Sequence, residues 1–327
     1  MRIAVTGSIA TDHLMVFPGR FAEQLIKEQL ERVSLSFLAD RLEVRRGGVA
    51  ANISFGLGLL GFDPVLVGAA GLDFAEYDSW LRAHGVDTSA VRVSDTLHTA
   101  RFVCTTDQDQ NQIATFYAGA MAEAPRIDLA EIAGLTGGPA LVLVGADDPD
   151  AMLRHTATAH RLGFPVAADP SQQLARIDRD QARQLVDGAR WLFTNEYEAA
   201  LLIERTGWAK EDLLDRVGTW ITTLGEAGVS LASSGAPDLR VPAVPTERII
   251  DPTGAGDAFR SGFLAGTAWE WPQEQAARLG CAMATTVLES VGTQEYKLTS
   301  SDLVARIDQT YGSDAAQSFE PQLAHVS

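Results

Sequence analysis

Short β-rich apolar runs recur along the chain, at Ile3–Val5, Val65–Val67, Leu141–Val144, Val166–Ala168, Trp191–Phe193 and Trp220–Thr223. Most are separated by stretches of helical period, such as Asp150–Leu162 and Asp178–Val186. Strands that alternate with helices build βαβ units around a mainly parallel sheet covered on both faces. After Asp251 the pattern becomes almost wholly helical through Gln309. The expected architecture is therefore one α/β domain over residues 1–327, with the stretch after Gly312 the weakest candidate for order.

Two stretches break this alternation. Ser34–Val44 alternates like a strand and has no helix of its own. His98–Thr106 and Gln112–Tyr117 flank the polar turn Asp107–Asn111, which reads as a β-hairpin. Parallel neighbours require long crossovers, so these strands do not fit easily into the main sheet. They predict a small separate sheet acting as a lid, from segments at about 12–18, 33–45 and 97–118. An antiparallel edge on the main sheet is the plainer alternative.

Composition narrows the function. The 327 residues are 46% hydrophobic and 21% charged, and 43 acidic against 26 basic residues give a formal charge of −17. Such a chain repels nucleic acid and anionic membranes, so neither is an expected partner. No uninterrupted apolar stretch approaches the ~18 residues of a membrane span, and Ile3–Val5 reads as a first strand, not a signal peptide. Cys104 and Cys281 form no metal-site spacing or disulfide framework; they read as buried hydrophobes of a cytoplasmic protein, a catalytic thiol being the lesser alternative. His155 and His160 are five apart, the wrong spacing for an H-E-x-x-H metal pair.

The most informative segment is Asp251-Pro252-Thr253-Gly254-Ala255-Gly256-Asp257. Pro252 and the glycines do not extend a helix, whereas the residues from Ala258 onward have helical apolar spacing. The glycine run thus falls at a helix N-terminus, where unpartnered N–H groups and the macrodipole favour an anion. Gly254, Ala255 and Gly256 would leave those groups open to a phosphoryl group. Asp257 beside them reads equally as a capping aspartate or as a base for an attacking hydroxyl. Three small residues in a row favour the base, because a plain cap does not need them.

Gly47-Gly48-Val49-Ala50-Ala51-Asn52 is a second cluster, with Asn52 about one turn beyond the paired glycines and able to bind a diol. Gly7-Ser8 ends the first strand and Asp12 follows, expected in a loop, where open α/β sheets bind ligands. Each also reads as ordinary turn chemistry. Gly56-Leu57-Gly58-Leu59-Leu60-Gly61 matches the dinucleotide fingerprint, but it ends an apolar helix from Val49 instead of following a strand, so it reads as helix packing and C-capping.

Taken in order, these segments resemble the ribokinase-like (PfkB) sugar and nucleoside kinases. Asn195-Glu196-Tyr197-Glu198 is similar to the family's N-x-x-E motif, and Thr222–Gly228 to the segment lining its ATP site. The resemblance implies an ATP-dependent kinase with a β lid, Asp257 as catalytic base, and Gly254–Gly256 as anion hole. Asn195, Thr223, Gly225, Gly228 and Gly256 would meet ATP. Glu198 would hold Mg²⁺ through water, and the backbone oxygens of Asp251 and Thr253 a monovalent cation such as K⁺.

On the acceptor side, Asp12, Asn52 and the backbone of Gly48 would hold a ribose diol. The sequence looks nearest to the bacterial adenosine kinases, which implies adenosine as substrate and purine salvage as setting. Phe102 and Phe116 would then sandwich adenine, though the residues alone read as core of a small sheet. Ser8, Ser36, Gln172, Gln173 and Arg176 match acceptor-pocket positions of that branch. Exposed lid edges imply a homodimer through the lid. A kinase of ribose or fructose and a non-catalytic nucleoside-binding protein are the competing readings.

Overall fold

The computed structural model describes residues 2–24 and 35–326. Eight strands form the main sheet in the order Leu239–Val241, Val229–Ala232, Thr219–Thr223, Trp191–Asn195, Val166–Ala168, Leu141–Val144, Ile3–Thr6 and Val65–Val67. From Thr219–Thr223 to Val65–Val67 every neighbouring pair is parallel, and the last two strands at the other edge are antiparallel. All six expected main-sheet strands are present.

The two-residue period of the strands divides the core into two layers. Ile3, Val5, Leu141 and Leu143 point to one side, towards Val49–Leu59 and the C-terminal helices. Ala4, Val142, Val144 and Val166 point to the other, towards Pro149–Arg161 and Arg179–Val186. Val49–Leu59 packs on Ala255–Ala268 so tightly that a Cβ on Gly56 would stand 2.5 Å from Ser261 Oγ. That contact, and the backbone of His84 against Gly58, are what the G-x-G-x-x-G spacing serves.

The expected separate sheet exists, in the order Arg41–Gly47, Ala10–Val16, Ala100–Thr106 and Gln112–Tyr117. Four expectations need correction. Asp12 lies within a strand, not a loop, because Ala10–Val16 is paired along its whole length on both sides. The strand expected over Ser34–Val44 begins at Arg41, opposite Val16 where its partner ends, and runs on to Gly47; Ser34 lies outside the described residues. His98 and Thr99 precede the hairpin because Thr99 is held by Asp73, through its N–H at 2.8 Å and its hydroxyl at 2.7 Å. Beyond Gly312 the chain forms the helix Ser313–Leu323, whose Ala315, Ala316, Phe319 and Leu323 are buried in the core. Phe319 meets Trp271 edge-on at 4.7 Å between ring centres.

Candidate active site

Gly254 precedes the helix Ala255–Ala268 with φ at +81°, a conformation side chains rarely adopt, and no side chain caps the helix. Ala255 N–H reaches Pro252 O at 3.4 Å, whereas the N–H groups of Gly256 and Asp257 meet no acceptor among the described residues. Two open amides at the positive end of a 14-residue helix leave a corner whose electrostatics suit an anion.

Asp257 stands in the first turn of this helix. Its Oδ2 accepts an N–H from Asn52 Nδ2 at 2.8 Å. Burial pushes its carboxyl up to about 7; Arg260 and the Asn52 N–H act downwards, while Asp169 and Glu198 add to the rise. A carboxyl titrating near neutrality is suited to proton transfer. One turn on, buried Arg260 binds Asp169 with Nη2 2.6 Å from Oδ1 and Nε 2.6 Å from Oδ2. A Cβ on Gly256 would stand 2.9 Å from Arg260 Nη1, so the guanidinium lies against the backbone of the open corner.

Asp257 opens on a cavity of about 460 Å³ between the two sheets. Ten other expected residues line it: Ser8, Asp12, Gly48, Asn52, Phe102, Phe116, Gln172, Gln173, Arg176 and Thr253. Ser8 Oγ accepts the Val49 N–H at 3.1 Å and so starts the helix Val49–Leu59. Gly48 holds φ at +97°, and a Cβ there would stand 2.5 Å from Ser8 O. Phe102 and Phe116 are directly opposed cross-strand partners on one face of the small sheet. Burial raises the carboxyl of Asp12 to about 6, with Arg45 acting against and Asp251 with the rise. Gln173 is buried with Oε1 unpartnered, and the exposed Arg176 guanidinium makes no ion pair among the described residues.

On the other side of the helix start lies a cleft of about 560 Å³, lined by Thr223, Gly225, Gly228, Ala255 and Gly256 among the expected residues. Its walls are largely apolar, with Val244, Pro245, Ile249, Phe259 and Leu288. Cys281 also lines it, and burial pushes its thiol up to about 12, so it is an inert surface there.

Some expected residues stand apart from these two spaces. Ser36 is exposed on an irregular segment and lines neither. Asn195 and Glu198 cap the helix Glu196–Thr206 reciprocally, each side chain taking the other's backbone N–H at 2.8 Å. The N-x-x-E spacing is thus a capping box, which leaves Glu198 Oε1 facing Ser171 Oγ at 3.4 Å. Asp251 accepts from Thr253 N–H at 3.0 Å, Gly292 N–H at 3.1 Å and Arg45 Nη1 at 3.0 Å. Burial acts to raise its carboxyl, but these donors outweigh it and hold Asp251 below the usual range.

Sequence reasoning missed Arg260, Asp169, Thr293, Gln294 and Tyr77. Arg260 alone carried a signal, a cation one turn after Asp257 on an otherwise apolar helix face. The others come together only through the fold.

The sequence pattern of the pfkB family carbohydrate kinases matches residues 8–300. The nucleoside kinase of Burkholderia thailandensis in complex with inosine has 35% sequence identity and a TM-score of 0.82, over 95% of this chain and 98% of that one. The nucleoside kinase of Methanothermobacter thermautotrophicus is 30% identical over 83% of this chain and 87% of its own length. That of Methanocaldococcus jannaschii is 28% identical over 80% and 85%, and its crystal structure superposes with a TM-score of 0.83.

Proposed function

The chain belongs to the pfkB family of carbohydrate kinases, and on that footing we propose that it transfers the γ-phosphoryl group of ATP to the 5′-hydroxyl of a nucleoside, adenosine foremost. One observation carries the reading. Asp257 and Gly256 are consecutive, yet Asp257 opens on the cavity between the sheets and Gly256 on the apolar cleft behind it. An acceptor and a donor on the two sides would meet at the helix start. There the open amides of Gly256 and Asp257 would neutralise the transferring phosphoryl group.

In the reaction, the 5′-oxygen forms the new bond to the γ-phosphorus while its proton passes to Asp257. The bond to the β-bridging oxygen breaks, and ADP leaves with that electron pair. Asp12 and the free N–H of Asn52 suit the ribose diol. Phe102 and Phe116, neighbours on one face of the small sheet that both line the cavity, suit stacking against a base. Arg176 offers only donors, which fit acceptors on adenine and hypoxanthine alike, so discrimination between purines falls to Gln172 and Gln173. The nucleoside kinases above support a nucleoside over a free sugar.

Among the described residues, no three or more His, Cys, Asp and Glu side chains cluster as a cation cage. This fits Mg²⁺ carried by triphosphate oxygens and water, with Glu198 Oε1 the protein's outer contact; bound there, Mg²⁺ would supply charge neutralisation. The Asp251 side chain is committed to protein donors, so a K⁺ ion would rest on backbone oxygens of Asp251 and Thr253. The strand Gln112–Tyr117 is exposed throughout and carries Ile113 and Tyr117 on the face away from the cavity, which suits a homodimer through the small sheet.

The test is the identity of the product. With ATP and Mg²⁺, adenosine should yield AMP by phosphorus NMR, and 5′-deoxyadenosine should yield nothing while still inhibiting. Phosphorylation of 5′-deoxyadenosine would refute the 5′ assignment.

A further inference from the structure

Behind Asp257 lies a row of buried polar side chains from three separate parts of the chain. Tyr77 OH donates to the backbone oxygen of Gly47 at 2.9 Å. A carbonyl only accepts, so this bond fixes the tyrosine hydrogen. The hydroxyl must then accept its short contact from Gln294, which presents its Nε2 side. The second hydrogen of that NH₂ goes to Asn52 Oδ1 at 2.9 Å. Thr293 Oγ1 also lies 2.9 Å from Asn52 Oδ1, and shares its single hydrogen with Arg46 O at 2.9 Å. With its oxygen claimed, Asn52 can turn only its NH₂ towards Asp257, at 2.8 Å.

This sequence of donors decides an orientation that the site itself leaves open. An asparagine amide turned over would set its oxygen against the ionised carboxylate, where the two repel. Tyr77, Gln294 and Asn52 are all at most 6% exposed, so water cannot easily replace a missing donor. Gln294 makes the link although its own Oε1 has no partner.

We infer that Gln294 and Tyr77 are positioning residues for phosphoryl transfer: anchored on the Gly47 carbonyl, they lock the Asn52 amide so that it donates to Asp257 and keeps that carboxylate ionised and aimed at the acceptor hydroxyl. The inference rests on the reading of Asp257 as base. The charged and titratable groups around Asp257 are Arg260 on its own helix, Asp169 after the strand Val166–Ala168, Glu198 on Glu196–Thr206, and the buried Tyr296. None of them hydrogen-bonds to Gln294 or Tyr77, whose bonds run to Gly47, Asn52 and each other.

The experiment is the pH dependence of kcat and kcat/KM for the full chain with ATP, Mg²⁺ and adenosine. Gln294→Met keeps the volume and removes the donor; Tyr77→Phe removes one hydroxyl. Gln294→Met should lower kcat about 10-fold, the worth of roughly one hydrogen bond, with KM for ATP unchanged. Its acid limb should move to higher pH than in the unmodified enzyme. Tyr77→Phe should shift both in the same direction by less. A fall in kcat with an unmoved acid limb would mean a merely structural role and overturn the inference, as would unmodified behaviour in both variants. If Gln294→Met does not fold, Tyr77→Phe decides by the same criteria. Asp257→Asn measured alongside separates the two levels: unmodified-like turnover there defeats the base reading itself, whereas its loss with an unmoved limb in both other variants defeats only the lock.

Discussion

The two spaces that meet at the start of helix Ala255–Ala268 are built by opposite means. The rear cleft is walled by Val244, Pro245, Phe259 and Leu288, and brings the backbone of Gly225, Gly228 and Gly256 together with Thr223, Glu226, Thr246 and Thr285. The cavity between the sheets is lined with Ser8, Asp12, Asn52, Gln173, Arg176 and Asp257, and burial moves two of its carboxyls towards neutrality. A common donor can be held by backbone amides, whose geometry is set by glycine and proline. An acceptor that must be selected and deprotonated requires side chains, and these must in turn be oriented by others. The rear cleft should therefore be sensitive to added bulk, and the front cavity to removed hydrogen-bonding groups.

The largest expected effect is at the junction. Asp257→Asn should lower kcat by roughly 10²–10⁴-fold with ATP binding nearly intact, measured by steady-state kinetics and calorimetry. Next comes added bulk on the backbone side. Gly256→Val would crowd Arg260 Nη1, 2.9 Å from the new Cβ, and cover the open amides. Turnover should fall by roughly 10²–10³-fold, as when an oxyanion donor is lost, and ATP affinity should weaken while adenosine affinity stays close to normal. Loss of adenosine binding with ATP binding kept would reverse the assignment of the two spaces.

Smaller effects belong to the base site. Phe102→Ala or Phe116→Ala should weaken adenosine binding about 10-fold by calorimetry, on the scale of base–aromatic stacking, without altering ATP affinity. Equal losses for ATP would place these rings on the wrong side. The smallest effect is on stability. Asp257 has a native carboxyl raised to about 7 from 3.8, so the folded state binds its proton more tightly than the unfolded state. Its contribution is complete below pH 4 and is lost as pH rises through 7. Asp257→Asn should therefore melt higher than the unmodified protein at pH 8, and the gain should vanish at pH 4. A gain independent of pH would contradict the buried-carboxyl account.

The same contrast explains what the sequence made legible. Central parallel strands such as Leu141–Val144 are buried on both faces and read as plain apolar runs, so they stand out. Val229–Ala232 and Leu239–Val241 are short antiparallel strands at one edge, and their partly polar stretches gave no such signal. The tail beyond Gly312 forms its helix without a side-chain cap and with Pro321 inside it; burial of Phe319 and Leu323, which the local sequence does not reveal, holds it. In the site, glycine-rich segments were visible because backbone geometry restricts their composition. The lock on Asn52 was not, since Gln294 is 242 residues away and carries no local motif. Asn195 and Glu198 illustrate the reverse case, where a conspicuous spacing is seen to form a helix cap.

The account turns on what occupies the front cavity. The most direct measurement is kcat/KM of the unmodified protein, with ATP and Mg²⁺, for adenosine, other nucleosides, free ribose and fructose. Opposed Phe102 and Phe116 offer stacking that a ribose without a base cannot use, so adenosine should exceed ribose and fructose. By the stacking scale above, the margin should be about 10-fold or more. A free sugar phosphorylated better than every nucleoside would contradict the account and make this a sugar kinase.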